Sequence, residues 1–205
     1  MRILNLYAGI GGNRKLWGDE HEITAVEFNP DIAAVYKDLY PNDTVIVGDA
    51  HEYLLQHYKE FDFIWASPPC QSHSRIINSQ YTRNNYVPKY PDMKLYQEII
   101  FLQRHSACKF VVENVKPYYE PLINPTIELN RHLFWANFNI PSESFNDKTV
   151  IKFVKGSQGL YGVSLDEYKI DNKRQLLRNM VNPELGKYIL DRVMEKEILL
   201  QGGLF

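Results

Sequence analysis

The stretch Ala66-Ser67-Pro68-Pro69-Cys70-Gln71 sets a thiol directly behind two prolines. Each proline holds φ at about −65° and lacks an N–H, so an extended run cannot continue through the pair and the next side chain is held in a set direction. The thiolate is the reactive form of cysteine, and a thiol held at the end of a strand is a candidate nucleophile. The plain alternative is a small apolar side chain packed beside a tight turn.

A second constellation lies upstream. Tyr7-Ala8-Gly9-Ile10-Gly11-Gly12 follows an apolar run at 2–6. In a doubly wound sheet, ligands sit beyond the carboxyl ends of the strands, where the first turn must let backbone approach them without Cβ atoms in the way. Gly9, Gly11 and Gly12 are placed for that, and their Gly-x-Gly-Gly spacing differs from the Gly-x-Gly-x-x-Gly of a pyrophosphate cradle. Glu27 ends the next apolar run, where a carboxylate can accept from both ribose hydroxyls, and Phe28 beside it offers a ring to stack on adenine. Asp49, followed by Ala50, comes after a third run and can accept from an adenine amino group. Each acid alone reads as a loop carboxylate; together these strand ends suit an adenosine.

The elements that must position these groups read as an α/β chain. Strands are expected at 2–6, 23–27, 44–47, 61–66 and 109–112, with helices near 13–18, from Asn29 or Pro30 to Pro41, at 51–57 and within 91–106. That alternation implies a doubly wound, mostly parallel sheet. The run at 61–66 is apolar throughout, as befits a central strand covered on both faces. Beyond Trp135, strands are expected at 132–139 and 149–154, a turn-rich segment at 156–162, and a closing helix at 182–200 begun at Pro183.

A chain of 205 residues suits one domain, taken as 1–200, with a flexible tail at 201–205. It lacks an apolar run of membrane-spanning length and a leader-like N-terminus, which predicts a cytoplasmic protein with no membrane contact. Its two cysteines, Cys70 and Cys108, form no disulfide framework and no metal-ligand spacing, so no metal is expected. The net charge of −2 hides an asymmetry. Acids gather before residue 50, whereas Arg75, Arg83, Lys89, Lys94 and Arg104, and then Lys148 through Arg178, make two basic stretches able to face an anion.

Leu6-Tyr7-Ala8-Gly9-Ile10-Gly11-Gly12, Ser67-Pro68-Pro69-Cys70-Gln71 and Val112-Glu113-Asn114-Val115, in that order, resemble the signature motifs of the cytosine-C5 DNA methyltransferases. The resemblance covers about residues 2–140 and resumes near 174–190, where Arg178-Asn179-Met180-Val181-Asn182-Pro183 is similar to the last motif. It implies a Rossmann-like sheet of the S-adenosylmethionine-dependent methyltransferase type, with S-adenosylhomocysteine as the spent cofactor. The implied cofactor contacts are Tyr7, Ala8, Gly9, Gly11, Gly12, Glu27, Phe28, Asp49, Ala50, Pro68, Asn179 and Val181. Cys70 matches the nucleophile that adds to C6 of cytosine, Glu113 the carboxyl that serves N3, and Asn114 a residue that holds local geometry. C6 is out of reach in a stacked duplex, so the base must be flipped out of double-stranded DNA. Gln71, Ser72 and Arg75 near the thiol, and Arg83 farther along, are the expected DNA contacts.

Two departures stand out. Where the family alternates Gln and Arg, this chain reads Glu128-Leu129-Asn130-Arg131-His132-Leu133-Phe134-Trp135, with Arg131 the expected catalytic survivor and His132 a lesser candidate. Only about forty residues separate Trp135 from Arg174, so the target-recognition segment, taken as 136–178, is small. Base-edge readout needs an element inserted in the major groove, which predicts short or relaxed specificity. RNA or single-stranded DNA as substrate, and dependence on a partner chain, are the rival readings. The tail Gln201-Gly202-Gly203-Leu204-Phe205 resembles peptides that dock on bacterial sliding clamps.

Overall fold

The computed structural model describes residues 1–75, 87, 90–146 and 161–195. The strands are β1 (Arg2–Leu6), β2 (Glu22–Glu27), β3 (Thr44–Val47), β4 (Phe63–Ala66), β5 (Lys109–Val115), β6 (Ile127–Leu129) and β7 (His132–Ala136). The helices are α1 (Pro30–Leu39), α2 (Ala50–His57), α3 (Lys94–His105), α4 (Lys173–Asn179) and α5 (Pro183–Met194). A 3-10 turn at Asn13–Leu16 stands where a short helix was expected.

The strands form one seven-stranded sheet in the order β3-β2-β1-β4-β5-β7-β6. β1 to β5 pair in parallel, whereas β7 runs antiparallel to both β5 and β6. The chain order reverses at β1, where β2 lies on one side and β4 on the other, and a ligand crevice belongs at such a switch point.

Alternation along the central strands sends side chains to two cores. Leu4, Ile64, Phe110 and Val112 pack against Leu54 of α2 and Leu95, Ile99 and Leu102 of α3. Ile3, Phe63, Trp65 and Val111 pack with Trp17 and with Leu185, Ile189 and Val193 of α5. Both faces of β4 are therefore covered, as its unbroken apolar run requires.

Local signals start the helices. Asn29 caps α1 by accepting from the Asp31 and Ile32 N–H groups, with Pro30 in the first turn. Asp49 caps α2 through His51 and Glu52 N–H, and Asn182 caps α5 through Glu184 N–H ahead of Pro183. The C-terminal helix locks onto the start of the chain. A Cβ on Gly186 would lie 2.4 Å from the Asn13 carbonyl oxygen, and Trp17 Nε1 donates to the Gly186 carbonyl at 3.1 Å.

The sheet corrects several expected boundaries. β5 continues through Val115, past the expected end at 112, and β7 stops at Ala136. β6 and α4 were not expected; each is short, and α4 buries only Leu177. The strand expected at 149–154 and the tail at 201–205 lie outside the described residues, as do 196–200 of the closing helix and 156–160 of the turn-rich segment. No helix among the described residues is long and apolar enough to cross a membrane.

Candidate active site

β4 and β5 are neighbours in register, with Ala66 beside Val112. The diproline turn leaving β4 and the last residues of β5 therefore meet at one edge. Asn114 joins them: its Nδ2 donates to the Pro68 carbonyl at 2.9 Å, and its Oδ1 accepts from Val115 N–H at 3.0 Å. The turn then closes on itself, because the Cys70 carbonyl accepts from the His73 and Ser74 N–H groups at 3.1 and 3.0 Å. His73 is fully buried; its Nδ1 meets the Tyr119 hydroxyl at 2.5 Å and its carbonyl accepts from Tyr118 N–H. Ser72 Oγ accepts from Asp92 N–H at 2.8 Å. The base of the loop is thus fastened from both sides, and the half-buried Cys70 is held by its backbone.

The electrostatics set the state of that thiol. Burial and, after it, the charge of Glu113 push the Cys70 pKa up to about 11, with Arg131 opposing the rise. At pH 7 only about one thiol in ten thousand is ionised at such a value. The resting group is the thiol. Burial also lowers the His73 pKa, which keeps that imidazole neutral.

Glu113 is buried near the end of β5, and His132 Nε2 lies 3.6 Å from its Oε1. Arg131 is exposed, its Nη2 donates to the Arg178 carbonyl at 3.5 Å, and its charge reaches Cys70. The two residues of the altered motif are thereby divided, His132 at the carboxyl and Arg131 toward the thiol. Gln71 and Arg75 are exposed and Ser72 is half-buried; Arg75 Nε donates to the Pro117 carbonyl at 3.4 Å. Arg83 lies outside the described residues.

On the other side of Cys70, the β1 turn faces the end of β2. Glu27 Oε2 accepts from Gly9 N–H at 2.9 Å, and its Oε1 accepts from Asn29 N–H at 3.0 Å. Gly9 has φ +54°, and a Cβ there would meet nothing within 4 Å. Phe28 is 75 % exposed beside it. Gly11 and Gly12 face protein instead. A Cβ on Gly11 would lie 2.4 Å from the Tyr40 ring, and one on Gly12 would lie 2.6 Å from the Val181 carbonyl oxygen. The contact at Gly12 brings the last motif onto the first turn. Val181 is buried there, with Asn179 exposed at the end of α4.

Asp49 spends Oδ1 on the α2 cap, and its Oδ2 lies 3.4 Å from Lys94 Nζ. Burial works to raise its pKa, but the Glu52 and His51 N–H groups and the Lys94 charge outweigh it and hold the carboxyl low. Ala8, Ala50 and Pro68 are buried along the same edge, and Tyr7 is half-buried at φ +56°. These groups fit S-adenosylmethionine: open backbone at Gly9, a carboxylate oriented by two N–H groups at Glu27, and a free ring face at Phe28.

One residue of this region was missed in the sequence. Glu98 of α3 is completely buried, and its Oε1 accepts from the Tyr7 hydroxyl at 2.5 Å and lies 3.1 Å from His51 Nδ1. Burial raises its pKa, against the pull of Tyr7 and His51. It ties the β1 turn and the first turn of α2 to one helix. The signal was its place on the apolar stripe of α3 beside Leu95, Ile99 and Leu102.

The family model for C-5 cytosine-specific DNA methylases matches residues 1–122. The chain belongs to that family. It is 32 % identical over 123 residues to a Spodoptera frugiperda protein named tRNA (cytosine(38)-C(5))-methyltransferase, a match covering 57 % of this chain and 36 % of the relative. The chain thus spans about a third of the length of that curated relative. Among solved structures, it is similar to DNMT2 of Spodoptera frugiperda, at 31 % identity and a TM-score of 0.38 over 56 % of this chain and 35 % of that one. It is also similar to a SAM-dependent methyltransferase from Agrobacterium tumefaciens, at 14 % identity and a TM-score of 0.42 over 58 % and 40 %.

Proposed function

We propose that the protein is a DNA cytosine-5 methyltransferase that acts through a covalent bond between Cys70 and C6 of a flipped cytosine. The observation that carries this is the meeting of a backbone-held Cys70 with the buried carboxyl of Glu113 at adjacent strand ends, next to the open crevice at Gly9, Glu27 and Phe28.

The residues divide the work as follows. Cys70 gives its proton to water and its sulfur bonds to C6. The C5–C6 π pair moves to C4–C5, and the C4–N3 pair settles on N3, which takes a proton from Glu113. C5 is now nucleophilic. S-adenosylmethionine supplies, when bound, a methyl group on a sulfonium that leaves as S-adenosylhomocysteine. Glu27 and Phe28 orient the adenosine end, and Gly9 leaves room for it. After transfer, C5 gives up its proton to water, the C6–sulfur bond breaks, the sulfur takes up a proton to restore the Cys70 thiol, and N3 returns its proton to Glu113. Asn114 keeps the sulfur in place through Pro68.

Double-stranded DNA is the proposed partner, with Gln71, Ser72, Arg75 and Arg83 meeting its backbone around the extruded base and with short or relaxed sequence specificity. A second reading has its own support: the curated relative is named for a cytosine of tRNA. Labelled methyl transfer to duplex DNA, single-stranded DNA and tRNA in competition separates the two. The proposal expects duplex DNA to be preferred and Cys70→Ser to abolish transfer to it; transfer to tRNA alone refutes the DNA reading.

A further inference from the structure

Glu113 and His132 face each other diagonally across the antiparallel pair of β5 and β7. The register sets Glu113 opposite Phe134 and His132 opposite Val115, so the two side chains share one face of the ribbon. His132 Nε2 lies 3.6 Å from Glu113 Oε1, with the side chains 12 % and 7 % exposed. This is ion-pair distance, slightly beyond a hydrogen bond.

The proposed chemistry gives this pair a task, because Glu113 must hold a proton for N3. A carboxyl of ordinary acidity, with pKa about 4.3, is protonated in roughly one molecule in 500 at pH 7, whereas an ordinary imidazole at about 6.5 is protonated in roughly one in four. A carboxylate alongside favours the imidazolium further. We infer that His132 is the positioning residue of Glu113: its ring lies where an imidazolium can pass a proton to the carboxyl, which Glu113 then presents to N3. The inference rests on the proposed reading of Cys70 and Glu113.

Among the described residues, four neighbouring sets of groups bear on the pair. Arg131, next in the chain, is a fixed positive charge that disfavours the imidazolium, but its guanidinium is exposed and donates to the Arg178 carbonyl. Lys116 and Glu128 neutralise each other at 2.8 Å. Cys70 is an uncharged thiol at rest. Tyr161 lines the same depression as His132.

The pair is tested without a methyl donor. In that case C5 of the Cys70 adduct takes a proton from water, loses its original hydrogen and releases Cys70, so tritium at C5 of cytosine in DNA exchanges into solvent. Exchange is measured from pH 5 to 9 for the wild-type chain, His132→Gln and His132→Arg, each checked for folding by circular dichroism. His132→Gln is expected to be at least about tenfold slower than wild type at pH 7.5, with the ratio of mutant to wild-type rate rising toward pH 5, where solvent supplies protons more readily. His132→Arg is expected to stay slow across the range, because a guanidinium cannot release a proton to Glu113. A His132→Gln rate reduced evenly at every pH, or His132→Arg exchange equal to wild type, overturns the pair. No exchange by the wild-type chain on duplex DNA, single-stranded DNA or tRNA overturns the Cys70 reading instead.

Discussion

Cys70 is a weak acid at rest, and its environment says why. Burial and, after it, the charge of Glu113 raise its pKa to about 11, and among the described residues the Arg131 charge pulls the other way. Alkylation by iodoacetamide, followed at the Cys70 peptide by mass spectrometry, should therefore accelerate about tenfold per pH unit from 7 to 10. Removing the negative charge with Glu113→Gln should speed alkylation severalfold at pH 8, and Arg131→Ala should slow it by a similar factor. Cys70 and Glu113 were legible in the sequence because each sits in a short motif bounded by strand-like runs. The contact of His132 with Glu113 was not, because it depends on the register of an antiparallel pair that no local pattern fixes. Glu98 was overlooked for a different reason: its stripe position marks it as buried, but no local pattern shows that Tyr7 and His51 are its partners.

The strand-end loops depend on contacts made by whole elements. Glu98 holds the Tyr7 loop and the His51 turn to α3, so Glu98→Gln should weaken binding of S-adenosylhomocysteine about tenfold by calorimetry, with Cys70 alkylation unchanged. A second anchor lies below the turn. Arg14 donates to both oxygens of Asp43 at 2.9 and 3.0 Å, and the Tyr36 hydroxyl donates to the same carboxylate at 2.8 Å. Both ion-pair partners are buried, so Asp43→Ala should lower unfolding stability by about 3–5 kcal/mol in denaturant titrations, because it strands the guanidinium. Gly12→Ala should cost about 1–3 kcal/mol, since its Cβ would meet Val181 backbone that cannot swing aside. The long elements were legible from capping residues and apolar periodicity: Asn29 with Pro30, and Asn182 with Pro183, mark their helices in the chain. β6 and α4 lacked such signals, being three and seven residues long with few buried side chains.

At the scale of the molecule, the part that matches the family model ends at residue 122, and the sheet and its second face are completed beyond it. β7 pairs with β5 alongside Glu113, and α5 covers Ile3, Phe63, Trp65 and Val111. Removing residues 173–195 should expose that face, giving a chain that binds a hydrophobic dye and unfolds without a cooperative transition. The doubly wound order was legible from the alternation of strands and helices, whereas the antiparallel return of β7 was not, because its connection from β5 passes through irregular chain. The small segment after β7 bears on specificity: bisulfite sequencing of DNA from cells expressing the protein should find methylated cytosines in many sequence contexts, and methylation confined to one site of about six or more defined base pairs would contradict this.

The central claim is the bond between Cys70 and C6. Fluorine at C5 cannot depart as a cation, so after methyl transfer the adduct with 5-fluorocytosine cannot eliminate and should persist. Incubation with S-adenosylmethionine and duplex DNA containing 5-fluorocytosine should yield a denaturation-resistant protein–DNA complex, mapped by mass spectrometry to the Cys70 peptide and absent for Cys70→Ser. A complex that survives Cys70→Ser, or none with any cytosine-bearing nucleic acid, would contradict the account.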